Sequence, residues 1–245
     1  MNSLRIVSRI DLKNDNVIKG FHLEGWKKLG RPINFAKKYY LNGADEIIFI
    51  DSVASLFSRD KILNILKESS KKIFIPIGIG GGIKTIEDAR QILNNGADKI
   101  VVNTAFVKNP MLIKKFVKTF GSQSIMLSIQ AKKRKQDFWE VFTEAGREKS
   151  GKEVRAWIKY AEKLGVGELL VTSVDNEGLG KGIDLELFKE IKKITNLPII
   201  AGGGFGNLKQ IKDIKKLNIS GISIAQLFHY NAETPNSIKK KFHEN

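Results

Sequence analysis

An internal repeat constrains this chain more than any other feature. The stretch IFIPIGIGGGIKTIEDARQILNNGADKIVVNTAF in the first half resembles NLPIIAGGGFGNLKQIKDIKKLNISGISIAQLF in the second. The glycine triplets Gly80-Gly81-Gly82 and Gly202-Gly203-Gly204 lie 122 positions apart, and Asn103-Thr104 and Ala225-Gln226 keep that offset. The offset is close to half of the 245 residues. Such a chain is expected to fold as two copies of one structural half.

The local pattern says what each half is made of. Short runs rich in Ile and Val, bounded by Gly, Asp or Asn, alternate with longer amphipathic stretches. The runs are Arg5–Asp11, Glu46–Asp51, Phe74–Ile79, Lys99–Asn103, Ile125–Ile129, Glu168–Val174, Pro198–Ala201 and Gly221–Ala225. Buried parallel strands read this way. Thr85–Asn94 and Gly151–Leu164 carry apolar residues at helical spacing. Eight strand signals with intervening helices predict an α/β fold, a single (β/α)8 barrel over residues 1–245 built from two half-barrels. An open doubly wound sheet is the alternative, and it accommodates eight units poorly at this length. Two connections are longer than the rest, Lys13 to Arg31 and Ala131 to Gly151. Both follow strands, which puts them on the catalytic face of a barrel. The second also alternates as a β-hairpin in FWEVFT.

Several classes of protein are excluded or disfavoured. With no cysteine there is no disulfide, thiolate metal site or cysteine nucleophile; a reducing, cytoplasmic setting fits. Three scattered histidines, His22, His229 and His243, argue against a metal centre. No apolar run approaches the 18 or so residues of a membrane span, and the N-terminus has no secretion signal. The net charge of +16 raises nucleic acid as a partner. The excess is mostly Lys, in short clusters such as Lys114-Lys115 and Lys192-Lys193. Specific nucleic-acid readers rely on Arg and interleaved aromatics, so solvated faces that also attract a phosphorylated substrate are the better reading.

The candidate chemistry sits at the strand ends. Each glycine triplet follows a strand and precedes a helical stretch, where backbone N–H groups can approach an anion. Two such sites related by the repeat suggest a ligand with a phosphate at each end; the bland reading is a tight turn where only Gly fits. Asp11, Asp51 and Asp175 follow apolar strands and so belong to the active face. The repeat places Gln130 where the first strand has Asp11, and an amide cannot complete an acid/base pair. At the opposite strand ends stand Arg5, Glu46, Lys99 and Glu168, roughly 20 Å from the Asp11 level at about 3.3 Å per residue. They could close a charged ring under the barrel, although the residues alone favour ordinary surface charge.

The sequence resembles the cyclase subunit of imidazole glycerol phosphate synthase over nearly its whole length. The stretches that carry the resemblance are RIVSRIDLKNDNVIKG, GADEIIFID, FIPIGIGGGIKTIEDAR, GADKIVVNTAF, FGSQSIMLSI, GVGELLVTSVDNEGLGKGIDLEL and LPIIAGGGFGN. The resemblance implies a heterodimer with a glutaminase, whose ammonia crosses the lumen to a bis-phosphorylated aminoimidazole carboxamide ribonucleotide; it implies no cofactor. Asp11 then matches one of two catalytic aspartates. Gly82, Asn103 and Thr104 match one phosphate site, and Gly203, Gly204 and Ala225, with Gly178 nearby, match the other. Lys19 matches a residue of the closing loop, and Asp51, Thr172, Ser173 and Asp175 complete the substrate-facing set. Arg5, Glu46, Lys99 and Glu168 match an ammonia gate, which replaces the surface-charge reading. Asp98 matches an interface residue. Four departures stand out: Gln130 for the second aspartate, Gln226 for a small hydroxyl residue, Ser8-Arg9-Ile10-Asp11 for a Cys-Leu-Asp pattern, and Asn176-Glu177-Gly178 for an Asp-Gly turn. The expected function is the cyclase subunit's conversion of that ribonucleotide to imidazole glycerol phosphate; Gln130 and Gln226 favour, as the alternative, a paralogous barrel delivering ammonia to another acceptor, such as a surface sugar.

Overall fold

The computed structural model describes residues 4–53, 60–206 and 210–244. Residues 207–209, part of the second repeat and including the last residue of LPIIAGGGFGN, lie outside the described residues.

Eight parallel strands close a barrel. They are β1 (Arg5–Lys13), β2 (Glu46–Asp51), β3 (Ile77–Gly80), β4 (Lys99–Val102), β5 (Ile125–Lys135), β6 (Glu168–Ser173), β7 (Ile199–Gly202) and β8 (Gly221–Ile224). Each pairs with the next and β8 returns to β1, so the two halves join at β4–β5 and at β8–β1. Helices pack outside, so this is the (β/α)8 architecture the repeat predicts.

The pleat sorts the side chains. On β1, Ile6, Ile10 and Leu12 face the helices and join the large outer core. Val7 belongs to a separate inner core with Ile48, Val101, Met126, Leu170 and Ile200. That inner layer is 0–2% exposed and fills the middle of the lumen. Local caps fix where the outer helices begin. Thr85 and Asp88 form a reciprocal capping box at Ile86–Asn94. Asp184 caps Leu185–Lys192 and also accepts the Trp139 indole N–H at 3.0 Å.

One strand start shifts, and the two long connections acquire structure. The third strand starts at Ile77, not Phe74; Phe74 lies outside the ladder and is 77% exposed, and Pro76 has no N–H to donate to one. In the first long connection β1 runs on into an antiparallel ribbon of Asn16–Phe21 and Glu24–Gly30. The second folds as the hairpin read from FWEVFT, with β5 continuing to Lys135 against Phe138–Thr143 and then Glu148–Glu153. The two ribbons follow equivalent strands, a trace of the repeat that the residues themselves no longer show. No helix among the described residues is long and apolar enough to cross a membrane.

Leu170→Ala tests how tightly the lumen is packed. A cavity in a close-packed layer is expected to lower unfolding free energy in urea by about 2–5 kcal/mol. A loss below about 1 kcal/mol would mean a loose interior.

Candidate active site

The charged strand starts meet. Arg5 bonds Glu46 at 2.9 Å and also pairs with Glu168. Lys99 bonds Glu46 at 3.1 Å and Glu168 at 2.7 Å. Each cation touches both anions, so four side chains from β1, β2, β4 and β6 close a ring across the N-terminal mouth. Burial pushes the Glu46 carboxyl above its ordinary value, and the neighbouring Glu168 adds to this, against the pull of Lys99 and Arg5. Exposed Asp98 stands on the same face, where its carboxylate accepts the Ile77 N–H at 2.8 Å.

Beyond the inner apolar layer the lumen turns polar again. Arg9 reaches from β1 to β6, which are not neighbours, and so crosses the opening. Its Nε donates to Asp11 Oδ1 at 2.9 Å and its Nη1 to Thr172 Oγ1 at 3.0 Å. Arg9 and Asp11 are each 6% exposed. Lys19, in the first ribbon strand, pairs with Glu177 in the turn after β6, and both are buried. Burial would raise the Glu177 carboxyl, but Lys19 and Arg9 outweigh it and hold it below its ordinary value. Two buried cations and two buried anions therefore compensate one another at this mouth.

The two repeat-related ligand sites differ. Around the first triplet lies a cavity of about 350 Å³ lined by Asp51, Gly81, Gly82, Asn103, Thr104 and Gln130, among others. Asn103 donates its amide to Phe142 O at 2.9 Å, and Thr104 Oγ1 accepts the Glu144 N–H at 3.1 Å. Asn103 Oδ1 and Gln130 Oε1 are buried acceptors with no donor. Burial pushes the Asp51 carboxyl up against the opposing hydrogen bond from the Val53 N–H. Around the second triplet the cavity is only about 10 Å³, lined by residues that include Arg9, Lys19, Glu177, Gly203, Gly204 and Gln226. That is barely room for one water.

The glycines themselves have a packing explanation. A Cβ at Gly81 would stand 2.2 Å from Asp51 O, and one at Gly203 2.4 Å from Ser173 O, at φ +100° and +91°. Only glycine fits either turn, whatever binds there.

Of the remaining sequence candidates, Gly178 and Ala225 line the second cavity. Asp11 lines a separate small cleft with Lys19 and Ser52. Ser173 is buried beneath the second site with no partner for its hydroxyl. Asp175 accepts the Lys133 N–H at 2.7 Å and so ties the β5 extension to the turn after β6. Sequence reading gave Arg9 and Glu177 no role and passed over His229, although a basic residue inside an apolar strand run and an acid in a glycine-rich turn were both signals.

The arrangement defines a (β/α)8 barrel with a glycine-lined cavity at its C-terminal mouth and an ion-pair ring at its N-terminal mouth. Residues 5–234 match the family described as histidine biosynthesis protein, and the chain belongs to that family. Relatives named imidazole glycerol phosphate synthase subunit HisF include that of Legionella pneumophila, 47% identical over 86% of this chain and 99% of the relative. That of Clostridium beijerinckii is 42% identical over 100% of this chain and 97% of the relative. That of Pyrococcus furiosus is 38% identical over 98% and 95%.

His229 borders this site and gives it a pH signature. Its Nδ1 lies 2.5 Å from the Tyr39 hydroxyl. Burial, helped by Lys19, Lys38 and Arg9 and opposed by Glu177, lowers its pKa to about 3. Above the ordinary value of about 6.5 both folded and unfolded chains hold it neutral. Below that, the unfolded chain takes up a proton that the fold refuses, so stability falls as pH drops toward 3. The expected contribution is about 1.4 kcal/mol per pH unit in that window. Urea unfolding at pH 7 and pH 5 should show a shallower decline for His229→Leu; equal declines would mean that His229 is protonated in the fold.

Proposed function

We propose that this chain is the cyclase-type subunit of an imidazole glycerol phosphate synthase, which takes ammonia from a glutaminase and delivers it to a phosphorylated acceptor. The observation that carries the reading is the order of layers along the barrel axis: ion-pair ring, apolar lumen, polar pocket. An apolar passage admits neutral ammonia and penalises ammonium, whose charge would lose its hydration. Arg5, Glu46, Lys99 and Glu168 act as the gate at the entrance. The glutaminase docks on the same face, against Asp98 and the exposed Leu41 and Phe74.

On the opposite face, the backbone at Gly82 with Asn103 and Thr104 receives a phosphate of the acceptor. Asp11 is the acid/base group, and Arg9 fixes the direction of its carboxylate. Gln130 orients the acceptor through its amide but exchanges no proton. The enzyme works in the cytoplasm and needs neither cofactor nor metal.

Gln130, the Arg9–Asp11 ion pair and the closed second cavity favour a second reading. In it the same conduit feeds the amination of a different acceptor, such as a sugar of a surface polysaccharide. Nothing beyond the charge of +16 favours nucleic acid.

Turnover of the phosphoribulosyl-formimino aminoimidazole carboxamide ribonucleotide with an ammonium salt at high pH separates the two readings without a glutaminase. Restoring a second carboxylate in Gln130→Asp is expected to raise the rate by about 10²–10⁴ over the native chain. Measurable native turnover supports the first reading. Turnover by Gln130→Asp alone would mean an intact site that lost its acid/base partner and serves another acceptor, the second reading; turnover by neither protein also sinks the first.

A further inference from the structure

The C-terminal mouth of the lumen is not evenly closed. One step above the inner apolar layer stand Arg9, Ile50, Ser128, Thr172 and Gly202, each two residues past a member of that layer and so facing inward. Arg9, Thr172 and Gly202 are buried, whereas Ile50 and Ser128 are half-buried. Ser223 on β8, paired with Val7, is 6% exposed. The side of the mouth formed by β1, β6, β7 and β8 is therefore sealed, and the side formed by β2 and β5 is open.

Arg9 makes the difference. Its guanidinium crosses from β1 to Thr172 on β6, as Arg5 crosses to Glu168 four residues earlier on the same two strands. It fills the sealed half, where the remaining cavity is about 10 Å³ and has Arg9 and Ser223 in its wall. Clearing that half means separating Arg9 from Asp11, and parting a buried ion pair is costly. On the open side the cavity of about 350 Å³ reaches down to the inner layer itself. Val101 belongs to that layer and also lines the cavity, beside Ser128 and Ile50, which packs on the layer. None of these three side chains is charged.

We propose that the lumen discharges ammonia off the barrel axis, through the floor of the first cavity between Ile50, Val101 and Ser128, and that Arg9 is the positioning residue that closes the other half of the mouth. This rests on the reading of the barrel as an ammonia conduit. Ammonia leaving the apolar layer on this side meets the Ser128 hydroxyl, which can accept one of its N–H groups and donate to its lone pair. The acceptor atom that receives the nitrogen then faces the Ser128 side of the mouth.

The chain has no cysteine, so single introduced thiols report access cleanly. Ser128→Cys and Ser223→Cys place near-isosteric probes on the open and sealed sides, and each is reacted with methyl methanethiosulfonate, a small uncharged reagent. A thiol on a sealed surface reacts only through local opening, so Ser128→Cys is expected to react about tenfold faster or more. Arg9 and Ser223 share a cavity wall, and a guanidinium favours the reactive thiolate, so slow reaction at 223 reports closure. Adding Arg9→Ser to Ser223→Cys is expected to bring the two rates together. Ser8→Cys, on the outer side of β1 and 0% exposed, is expected to stay unreactive with Arg9→Ser. Its reaction would mean a loosened fold and would overturn the role of Arg9, as would a thiol at 223 still protected in a folded Arg9→Ser chain. Equal rates in the two single variants would overturn the whole proposal, and that comparison leaves Arg9 in place. A complex with its glutaminase that aminates the ribonucleotide from ammonium salts but never from glutamine would instead remove the conduit reading.

Discussion

Everything functional in this molecule depends on the two-residue period of a strand inside a closed barrel. On β1 that period carries Arg5, Val7, Arg9 and Asp11 into the lumen and sends Ile6, Ile10 and Leu12 out to the helices. Closure makes the inward residues of eight strands meet. A charge at the start of a strand then finds charges from other strands. Arg5 and Lys99 are some 94 positions apart in the chain, yet both bond the same two carboxylates. A slip of one residue in any strand would send its charged ends into the outer core.

Buried charge is the second constraint. Burying an unpaired ion costs several kcal/mol, and the barrel buries ions at both mouths. At the N-terminal mouth they pair in a ring. At the C-terminal mouth Arg9 pairs with Asp11, and Lys19 with Glu177. These pairs are interdependent: Glu177 is held ionised by Arg9 as well as by Lys19. A change at one of the four positions therefore leaves another charge uncompensated, so the residues can be expected to change together rather than singly.

Much of this was legible in the chain. The glycine triplets and the Ile/Val runs gave the barrel because they report backbone geometry and burial, both local in sequence. The triplets were less informative about ligands, since close contact with Asp51 O and Ser173 O already demands glycine. The ring was the hardest part of the site to read from residues alone. Four charges at strand starts look like surface charge until closure brings them together, and only the family resemblance suggested otherwise. The first ribbon was missed because Asn16–Phe21 and Glu24–Gly30 mix Lys, Gly and apolar residues without clean alternation. Arg9 was visible as an oddity, but its reach across the lumen to Thr172 is a tertiary fact.

A barrel made from a duplicated half begins with two equal sites, and nothing in the fold requires them to stay equal. The framework positions are preserved in both halves: Gly81 and Gly203 sit at the same offset, with positive φ and the same contact to the neighbouring strand's carbonyl. The divergence lies in side chains that face the mouth. Gln130 stands opposite the repeat partner Asp11, and Gln226 opposite Thr104. Such changes leave strand pairing and the outer core untouched, so they alter chemistry at little risk to folding. The N-terminal ring and the apolar lumen, by contrast, draw on both halves at once and cannot diverge in one half alone. The ring and the apolar inner layer can therefore stay intact while residues at the opposite mouth change.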